Sequence, residues 1–299
     1  MRRWAKMPSV QRLLIVGSGD IARRAASWLS KHFLVFALTR RAETAESWRG
    51  LNARLIRGDL DNPASLKRLA GWADLALHLA PPQGEGIHDQ RTRNLLAALS
   101  RGESLPRRLV YVSTTGVYGD CGGATIDETR PRRPSSARAL RRLDAEQTLR
   151  RWGASRQVSV ILLRAPGIYA GDRLPVARLQ AGLPALAEAD DVYSNHIHAD
   201  DLARACCLAL FRGGAGRSFN VVDESELRMG AWFDLVADRL GYARPPRLPR
   251  VELEQRLSPA QYSFMLESRR IRNDRLGKEL GLRLLYPTVS AGLEHPASA

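Results

Sequence analysis

The stretch LLIVGSGDIARRAASWL, residues 13–29, contains the turn on which the fold prediction depends. Leu13–Val16 has the composition of a buried strand, and a helical pattern begins at Asp20. Between them, Gly17-Ser18-Gly19 opens the pattern G-x-G-x-x-A. The first glycine of such a pattern permits a tight turn, and the second lets the backbone approach a pyrophosphate. The following helix would present free N–H groups to the phosphates.

This stretch therefore predicts a dinucleotide-binding turn rather than a turn without a ligand. Its expected cofactor-binding residues are Gly17, Gly19, Asp20 and Ile21.

Further along the chain, short strand-like runs alternate with helical patterns. The runs are Phe33–Leu38, Arg54–Ile56, Leu75–Leu79, Leu109–Val112 and Val158–Leu163, and the helical patterns are Pro63–Ala70, Arg91–Leu99 and Arg138–Trp152. This alternation predicts an α/β fold, a Rossmann-type doubly wound parallel sheet. We expect a dinucleotide-binding core over residues 9–165 and a smaller, mixed, substrate-binding C-terminal part over 166–299. A strand near 218–222 is expected to return to the sheet.

The end of the second strand indicates which dinucleotide is bound. NAD-binding folds place a carboxylate there to bond the ribose hydroxyls. This strand instead ends in Thr39-Arg40-Arg41. Because a guanidinium can bond a 2′-phosphate through two N–H groups, Arg40 and Arg41 favour NADP over NAD. The alternative is that both are solvated arginines in an arginine-rich protein.

The net charge of +15 comes from 42 arginines and only 4 lysines. The arginines are scattered, and aromatic residues, 6% of the chain, do not interleave with them as a stacking surface requires. The sequence therefore indicates attraction for anionic small molecules rather than nucleic acid. Six arginines of the C-terminal half could meet a diphosphate or a carboxylate: Arg164, Arg173, Arg178, Arg269, Arg270 and Arg272.

Three cysteines, Cys121, Cys206 and Cys207, imply no disulfide framework, and no metal-ligand spacing occurs. The adjacent pair is expected to be buried on a helix. No apolar run approaches the roughly 18 residues that span a membrane. The basic residues Arg2, Arg3 and Lys6 are followed by too short an apolar stretch for a signal peptide. We therefore expect a cytoplasmic protein.

Several further motifs occur in a recognisable order. They are Gly58-Asp59-Leu60, Tyr111-Val112-Ser113-Thr114-Thr115-Gly116-Val117-Tyr118-Gly119, Ile126-Asp127-Glu128, Leu163-Arg164-Ala165-Pro166-Gly167-Ile168-Tyr169 and His196-Ile197-His198-Ala199-Asp200-Asp201-Leu202-Ala203. Together with the glycine turn, they resemble the extended and atypical short-chain dehydrogenase/reductase superfamily, which includes the NAD-dependent epimerases and dehydratases. The resemblance covers roughly residues 10 to 290.

The resemblance implies further site residues. Asp59 and Leu60 would lie beside the adenine, and Ala80 and Pro81 along the cofactor. The loop after the sixth strand would meet the nicotinamide and the substrate, which makes Arg164 and Pro166 substrate-contact candidates. At the end of the fifth strand, the hydroxyl of Thr114 is a candidate catalytic group and that of Thr115 a substrate contact, because ligands bind at this edge of open α/β sheets. The alternative is that these hydroxyls only cap the strand.

The chain departs from the superfamily at its usual Tyr-x-x-x-Lys pair. Arg138 and Arg142 stand at the corresponding positions, and no tyrosine occurs between Tyr118 and Tyr169. Arg142 could hold the ribose, but Arg138 cannot act as an ordinary acid or base. Tyr118 is a candidate substitute acid, and His196 and His198 are alternatives that could titrate near neutral pH. A further alternative is hydride transfer with a proton drawn from solvent.

Two functions remain open on the sequence. The first is an NADP-binding oxidoreductase or nucleotide-sugar epimerase/dehydratase-like enzyme that lacks the Tyr-Lys pair. The second is a non-catalytic NADP-binding sensor or scaffold. The expected partner is a small molecule, either a sugar nucleotide or another anion, and a homodimer is compatible with the sequence.

Overall fold

The computed structural model describes residues 10–41 and 44–294. The basic residues Arg2, Arg3 and Lys6 lie outside these ranges. The strands of the described part are β1 (Arg12–Val16), β2 (Leu34–Thr39), β3 (Ala53–Arg57), β4 (Leu75–His78), β5 (Arg108–Thr114), β6 (Thr125–Ile126), β7 (Ser159–Ala165), β8 (Gly167–Tyr169), β9 (Ala185–Leu186), β10 (Tyr193–Ser194), β11 (His196–His198), β12 (Ser218–Asn220), β13 (Leu227–Arg228), β14 (Arg247–Leu248) and β15 (Arg270–Ile271).

The α-helices are α1 (Asp20–Leu29), α2 (Thr44–Ser47), α3 (Gln90–Leu99), α4 (Ala137–Arg156), α5 (Val176–Gln180), α6 (Ala199–Ala209), α7 (Met229–Leu240), α8 (Arg250–Arg256), α9 (Pro259–Tyr262) and α10 (Val289–Glu294). Shorter 3₁₀ turns span Pro63–Leu69, Thr115–Tyr118, Glu188–Asp190 and Ser263–Met265, and a π-helical turn spans Leu276–Leu280.

The central sheet has seven strands in the order β12-β7-β5-β4-β1-β2-β3. Strand β1 pairs in parallel with both neighbours, so that Leu14 lies opposite Phe36 of β2 and Ala76 of β4. The chain leaves β1 in one direction towards β3 and then returns to β4 on the other side of β1. Ligands of doubly wound sheets bind at such a switch point. The predicted α/β fold is confirmed, and β12 is the expected returning strand.

The chain divides into two compact units that interleave in sequence. The first contains the described residues of 1–112, 144–162 and 206–217, and the second those of 113–143, 163–205 and 218–299. Buried leucines such as Leu14, Leu95 and Leu149 form the core of the first unit. The core of the second includes Phe233 and Leu253. The assignment of residues 9–165 to cofactor binding and 166–299 to substrate binding stays a prediction.

Local packing explains the helices that frame the glycine turn. On α1, four apolar residues at helical spacing are buried: Ala22, Ala25, Ala26 and Leu29. Three of them are alanines, which let the helix backbone approach its neighbours closely. The predicted helix at Pro63–Ala70 is a 3₁₀ turn instead, because Asn62 caps it and Ser65 Oγ donates back to the Asn62 carbonyl at 2.7 Å.

Composition also yields expectations for the cysteine pair, for membrane-spanning helices and for metal-binding clusters. Cys206 and Cys207 lie buried on α6, as predicted. Within residues 10–41 and 44–294, no helix is long and apolar enough to cross a bilayer. The same ranges contain no cluster of three or more His, Cys, Asp or Glu side chains arranged to hold a metal ion.

Candidate cofactor and substrate sites

The turn after β1 has the backbone shape that the glycine pattern predicts. Gly17 has a φ of +99°, which side-chain-bearing residues rarely adopt. A Cβ atom at Gly17 would lie only 2.6 Å from the backbone nitrogen of Ala80. A Cβ atom at Gly19, in contrast, would meet nothing within 4 Å. The fold therefore requires Gly17, whereas Gly19 leaves open space beside the N-terminus of α1.

A cavity of about 340 Å³ lies beside this turn, within the first unit. Its wall contains eight of the ten predicted cofactor-binding residues: Gly17, Gly19, Arg40, Arg41, Asp59, Leu60, Ala80 and Pro81. Asp20 and Ile21 do not line it. Asp20 begins α1 and accepts a hydrogen bond from Arg24 Nε at 2.9 Å, and Ile21 is half-buried.

A third guanidinium at this cavity, that of Arg91 on α3, was not predicted from the sequence. Arg91 holds Asp61 through two hydrogen bonds of 2.8 and 2.6 Å, and it donates to the Pro81 carbonyl at 3.2 Å. Its guanidinium lowers the pKa of Asp61 below the ordinary value. Arg91 thus fixes the loop after β4. No local motif marks it, because its partners lie far away in sequence.

The residues of this first cavity fit a phosphate-bearing dinucleotide. In the described part of the chain, no side chain caps the N-terminus of α1, so its first N–H groups can meet a phosphate. The open space at Gly19 can admit a pyrophosphate, and a side chain at this position would fill it. Arg40 and Arg41 are exposed, and the nearest carboxylate oxygen of Asp61 is 3.9 Å from Arg40.

The second unit contains a cavity of about 480 Å³. Among the predicted site residues, Thr114, Thr115 and Pro166 line it. Most of its remaining polar and aromatic wall comes from residues distant in sequence, namely Arg138, Arg173, Arg178, Arg269, Glu267, Asn195, His196, Tyr169, Tyr193, Trp232, Phe233 and Phe264. The mixture of rings and guanidinium groups suits a ligand with an apolar or planar part and a negative charge.

Thr114 ends β5 and caps the 3₁₀ turn that follows. Its Oγ1 accepts a hydrogen bond from the Gly116 N–H at 3.2 Å. Because the hydroxyl serves here as an acceptor, its own proton remains available for a ligand oxygen. Thr115 is 3% exposed and belongs to the same turn. The strand-capping and ligand-binding interpretations of Thr114 are thus compatible.

Tyr118 and Arg164 lie together in a buried network. Both are buried, at 1% and 2% exposure, and neither lines the second cavity. The Tyr118 hydroxyl donates to Asn220 Oδ1 at 2.7 Å and accepts from Arg164 Nη1 at 2.8 Å. The Arg164 guanidinium also lies 4.9 Å from the centre of the Tyr118 ring. The roles of Tyr118 as a substitute acid and of Arg164 as a substrate contact stay predictions.

The two arginines predicted to stand at the Tyr-x-x-x-Lys positions, Arg138 and Arg142, differ in placement. Both lie on α4, one helical turn apart. Arg138 lines the second cavity, and its guanidinium lies 4.0 Å from the centre of the Phe264 ring. Arg142 is half-buried and lines neither this cavity nor the one beside the glycine turn. A ribose contact for Arg142 stays a prediction.

The histidines of the His-x-His-x-Asp-Asp stretch are both buried. His196 lines the second cavity and packs against Trp232, with ring centres 4.5 Å apart. Burial lowers the pKa of His196 to about 4, so the ring is neutral at physiological pH. His198 Nδ1 accepts from the Asp200 N–H at 3.2 Å, which places this histidine at the start of α6.

A smaller cavity of about 180 Å³ in the second unit is lined by polar residues around Asp223. Asp223 is 4% exposed, and its Oδ1 accepts from the Ser225 N–H at 3.0 Å. Burial, helped by the neighbouring carboxylates of Asp201 and Glu224, raises the pKa of Asp223 to about 7. Asp223 therefore titrates in the physiological range.

Comparison with known proteins gives the family. The model of the NAD dependent epimerase/dehydratase family matches residues 14–222, more than half of the chain. The chain belongs to the NAD-dependent epimerase/dehydratase family. It is therefore an NAD(P)-binding protein of the oxidoreductase class, and the resemblance inferred from the motifs is confirmed.

Relatives within and around this family extend the comparison. The GDP-6-deoxy-D-mannose reductase of Pseudomonas aeruginosa is 29% identical over 246 residues, which cover 72% of this chain and 76% of the reductase. A functionally unknown conserved protein from Silicibacter pomeroyi is 28% identical, with a TM-score of 0.76 and coverage of 95% and 97%. UDP-glucuronic acid 4-epimerase from Bacillus cereus, solved in complex with NAD, shares the fold at 18% identity, with a TM-score of 0.75 over 95% and 97% of the chains.

Proposed function

We propose that this member of the family is an NADP-dependent oxidoreductase that reduces a carbonyl group of a sugar nucleotide or a similar anionic small molecule. The observation that carries the proposal is the first cavity, in which the open space at Gly19 and the guanidinium groups of Arg40 and Arg41 occur together. The reductase relative, whose name specifies a nucleotide-linked sugar, supports this class of substrate.

The preference for NADP rests on the second strand. β2 ends at Thr39, and the next two residues are Arg40 and Arg41 rather than an Asp or a Glu. A 2′-phosphate would neutralise these two exposed cations, whereas the ribose hydroxyls of NAD would find no carboxylate at this strand end. Calorimetric titration with NADPH and NADH tests the preference. Equal affinities or tighter NADH binding would contradict it.

A reduced nicotinamide, when bound, would supply the hydride for reduction. The residues of this chain would position the carbonyl and stabilise the charge that develops on its oxygen. The Thr114 hydroxyl donates a hydrogen bond to that oxygen. The product alcohol gains its second hydrogen as a proton from solvent, since Arg138 keeps its proton and His196 is neutral at physiological pH.

A carbonyl screen tests the activity. NADPH absorbance is followed with the purified protein and a set of aldehydes, ketones and nucleotide-linked keto sugars. We expect oxidation of NADPH that depends on one class of carbonyl and saturates with its concentration. The proposal fails if none of these compounds accelerates NADPH oxidation above the rate without protein.

Specific observations favour one alternative function, that of a non-catalytic protein. The sequence predicts that Arg138 and Arg142 replace the proton-transfer pair, and the Tyr118 hydroxyl is hydrogen-bonded within a buried network. These features favour an NADP-binding sensor or scaffold without turnover. Saturable NADPH binding without oxidation on any carbonyl would support this alternative. A cytoplasmic location and a homodimeric state also stay predictions, and light scattering of the purified protein tests the second.

A further inference from the structure

Two arginines of the second cavity lie on phenylalanine rings. The Arg138 guanidinium is 4.0 Å from the ring centre of Phe264, and that of Arg178 is 4.5 Å from the ring centre of Phe233. A ring that supports a guanidinium by its face holds the group in place without occupying its N–H donors. The ring contacts therefore leave N–H groups of both arginines able to bond a ligand.

The charge of the cavity wall is strongly positive. Four arginines face a single carboxylate, that of Glu267. Glu267 is already held by Arg269, with Nη1 and Oε2 2.6 Å apart. In the described ranges, no ion pair joins Arg138 or Arg178 to a carboxylate. A negatively charged ligand group would therefore meet two cations that are not committed to a carboxylate of this part of the chain.

Arg178 is in addition partly desolvated. Burial lowers its pKa from the ordinary value, although the group remains charged. Its Nη2 donates to the Pro184 carbonyl, but within residues 10–41 and 44–294 its buried Nε has no hydrogen-bond partner. A buried donor without an acceptor is costly, and a ligand oxygen would remove that cost.

We propose that Arg138 and Arg178 form an oxyanion-binding subsite in this cavity, which takes a carboxylate or phosphate group of the ligand. The inference rests on the proposed function only in treating the cavity as the substrate site. At the α4 position where a tyrosine would transfer a proton, this chain has a permanent cation that binds the substrate instead. Arg138 is then a specificity-determining residue rather than an acid.

Calorimetry with simple probes tests the subsite and identifies its source of anion. UDP supplies a diphosphate, D-glucuronate supplies a carboxylate on a sugar, and D-glucose is the neutral control. We expect at least one of the two anions to bind and glucose not to bind. Arg138→Gln and Arg178→Gln should each weaken the bound anion about 10-fold, as expected when one charge-assisted hydrogen bond is removed.

The matched control is Arg256→Gln, since Arg256 is an exposed residue of α8 that does not line the cavity. This variant should bind the anion like wild type. Phe264→Leu, which removes the ring beneath Arg138 but keeps the charge, should weaken binding less than Arg138→Gln. Circular dichroism of every variant shows whether it has folded.

The calorimetric outcomes identify the bound group or refute the subsite. Binding of UDP alone identifies a phosphate, and binding of glucuronate alone identifies a carboxylate. The subsite is refuted if neither anion binds wild type, if glucose binds equally well, or if folded Arg138→Gln and Phe264→Leu bind as wild type does. The double variant Arg40→Ala, Arg41→Ala should retain anion binding. Anion binding together with failure of the carbonyl screen would overturn the proposed reductase function and leave the subsite intact.

Discussion

The two cavities are built from the sequence in different ways. The wall of the first comes mostly from the glycine turn and from residues that follow neighbouring strands of the sheet. The wall of the second combines motif residues such as Thr114, Pro166 and His196 with side chains on α4, α5, α7 and the 261–269 segment. The contrast shows that residues at strand ends can be predicted from local motifs, whereas side chains contributed by distant helices cannot.

The largest expected effects distinguish the two glycines of the turn. Gly17 is needed for the backbone conformation, and Gly19 leaves the space that the cofactor would occupy. Gly17→Ala should lower the free energy of unfolding by roughly 2–4 kcal/mol, because the new Cβ meets the backbone of Ala80 at a positive φ. Gly19→Val should change it by only about 1 kcal/mol, the cost of a poorer helix cap, yet abolish NADPH binding. Urea unfolding and a fluorescence titration measure the two quantities. Normal cofactor binding by folded Gly19→Val would contradict the interpretation of this stretch as a dinucleotide-binding turn.

The next prediction concerns chemistry in the second cavity. Thr114→Val should lower turnover about 100–1000-fold, because it would remove the proposed donor to the carbonyl oxygen. NADPH affinity should not change. Thr114→Ser keeps the hydroxyl and should recover most of the rate. An unchanged rate in Thr114→Val, or a loss of rate that only matches a loss of folded protein, would contradict a direct role for the Thr114 hydroxyl.

A smaller effect is expected at the rim of the first cavity. The double change Arg40→Ala, Arg41→Ala should weaken NADPH binding by about 1.5–3 kcal/mol for each charge-assisted hydrogen bond that it removes. Affinity for NADH should be almost unaffected, because NADH has no 2′-phosphate. Paired titrations with both cofactors give the ratio. An equal loss of affinity for NADPH and NADH would mean that these arginines do not bind the 2′-phosphate.

The smallest expected effect concerns the buried hydrogen-bond network around Tyr118, a residue predicted from the sequence to be a candidate acid. Tyr118→Phe removes the hydroxyl between Arg164 and Asn220 and should destabilise the fold by about 1–3 kcal/mol. Cofactor affinity and the rate per folded molecule should remain as in wild type. Thermal unfolding measures the first, and the NADPH assay the second. A selective loss of rate without a loss of stability would restore Tyr118 as a catalytic candidate.

The success of the sequence-based prediction follows the same contrast. The order of strands and helices was predictable since each element shows its own periodicity, as the run Leu13–Val16 illustrates. The burial of Tyr118 was not, because its partners Arg164 and Asn220 lie 46 and 102 residues away. Arg91 was missed for the same reason, as its partner Asp61 is 30 residues away.

One capping detail shows a further limit of local rules. Asp200 has the composition of a helix N-cap, but α6 begins one residue earlier, at Ala199. His198 accepts the Asp200 N–H instead, and Asp201 receives the N–H groups of Leu285 and Tyr286, both at 2.9 Å. The carboxylate of Asp201, in the first turn of α6, thus takes part in a tertiary contact.

The buried carboxyl of Asp223 takes up a proton when this protein folds near neutral pH. With a folded pKa of about 7, the group is a mixture of acid and carboxylate at neutral pH, while an unfolded aspartate with a pKa near 3.9 has lost its proton. The contribution of Asp223 to the free energy of unfolding therefore declines as the pH rises from about 4 to 7. The buried ring of His196 acts in the opposite sense, because its pKa of about 4 lies below that of an unfolded histidine, so that folding releases its proton between about pH 4 and 6.5. The two buried groups thus offset each other in mildly acidic solution.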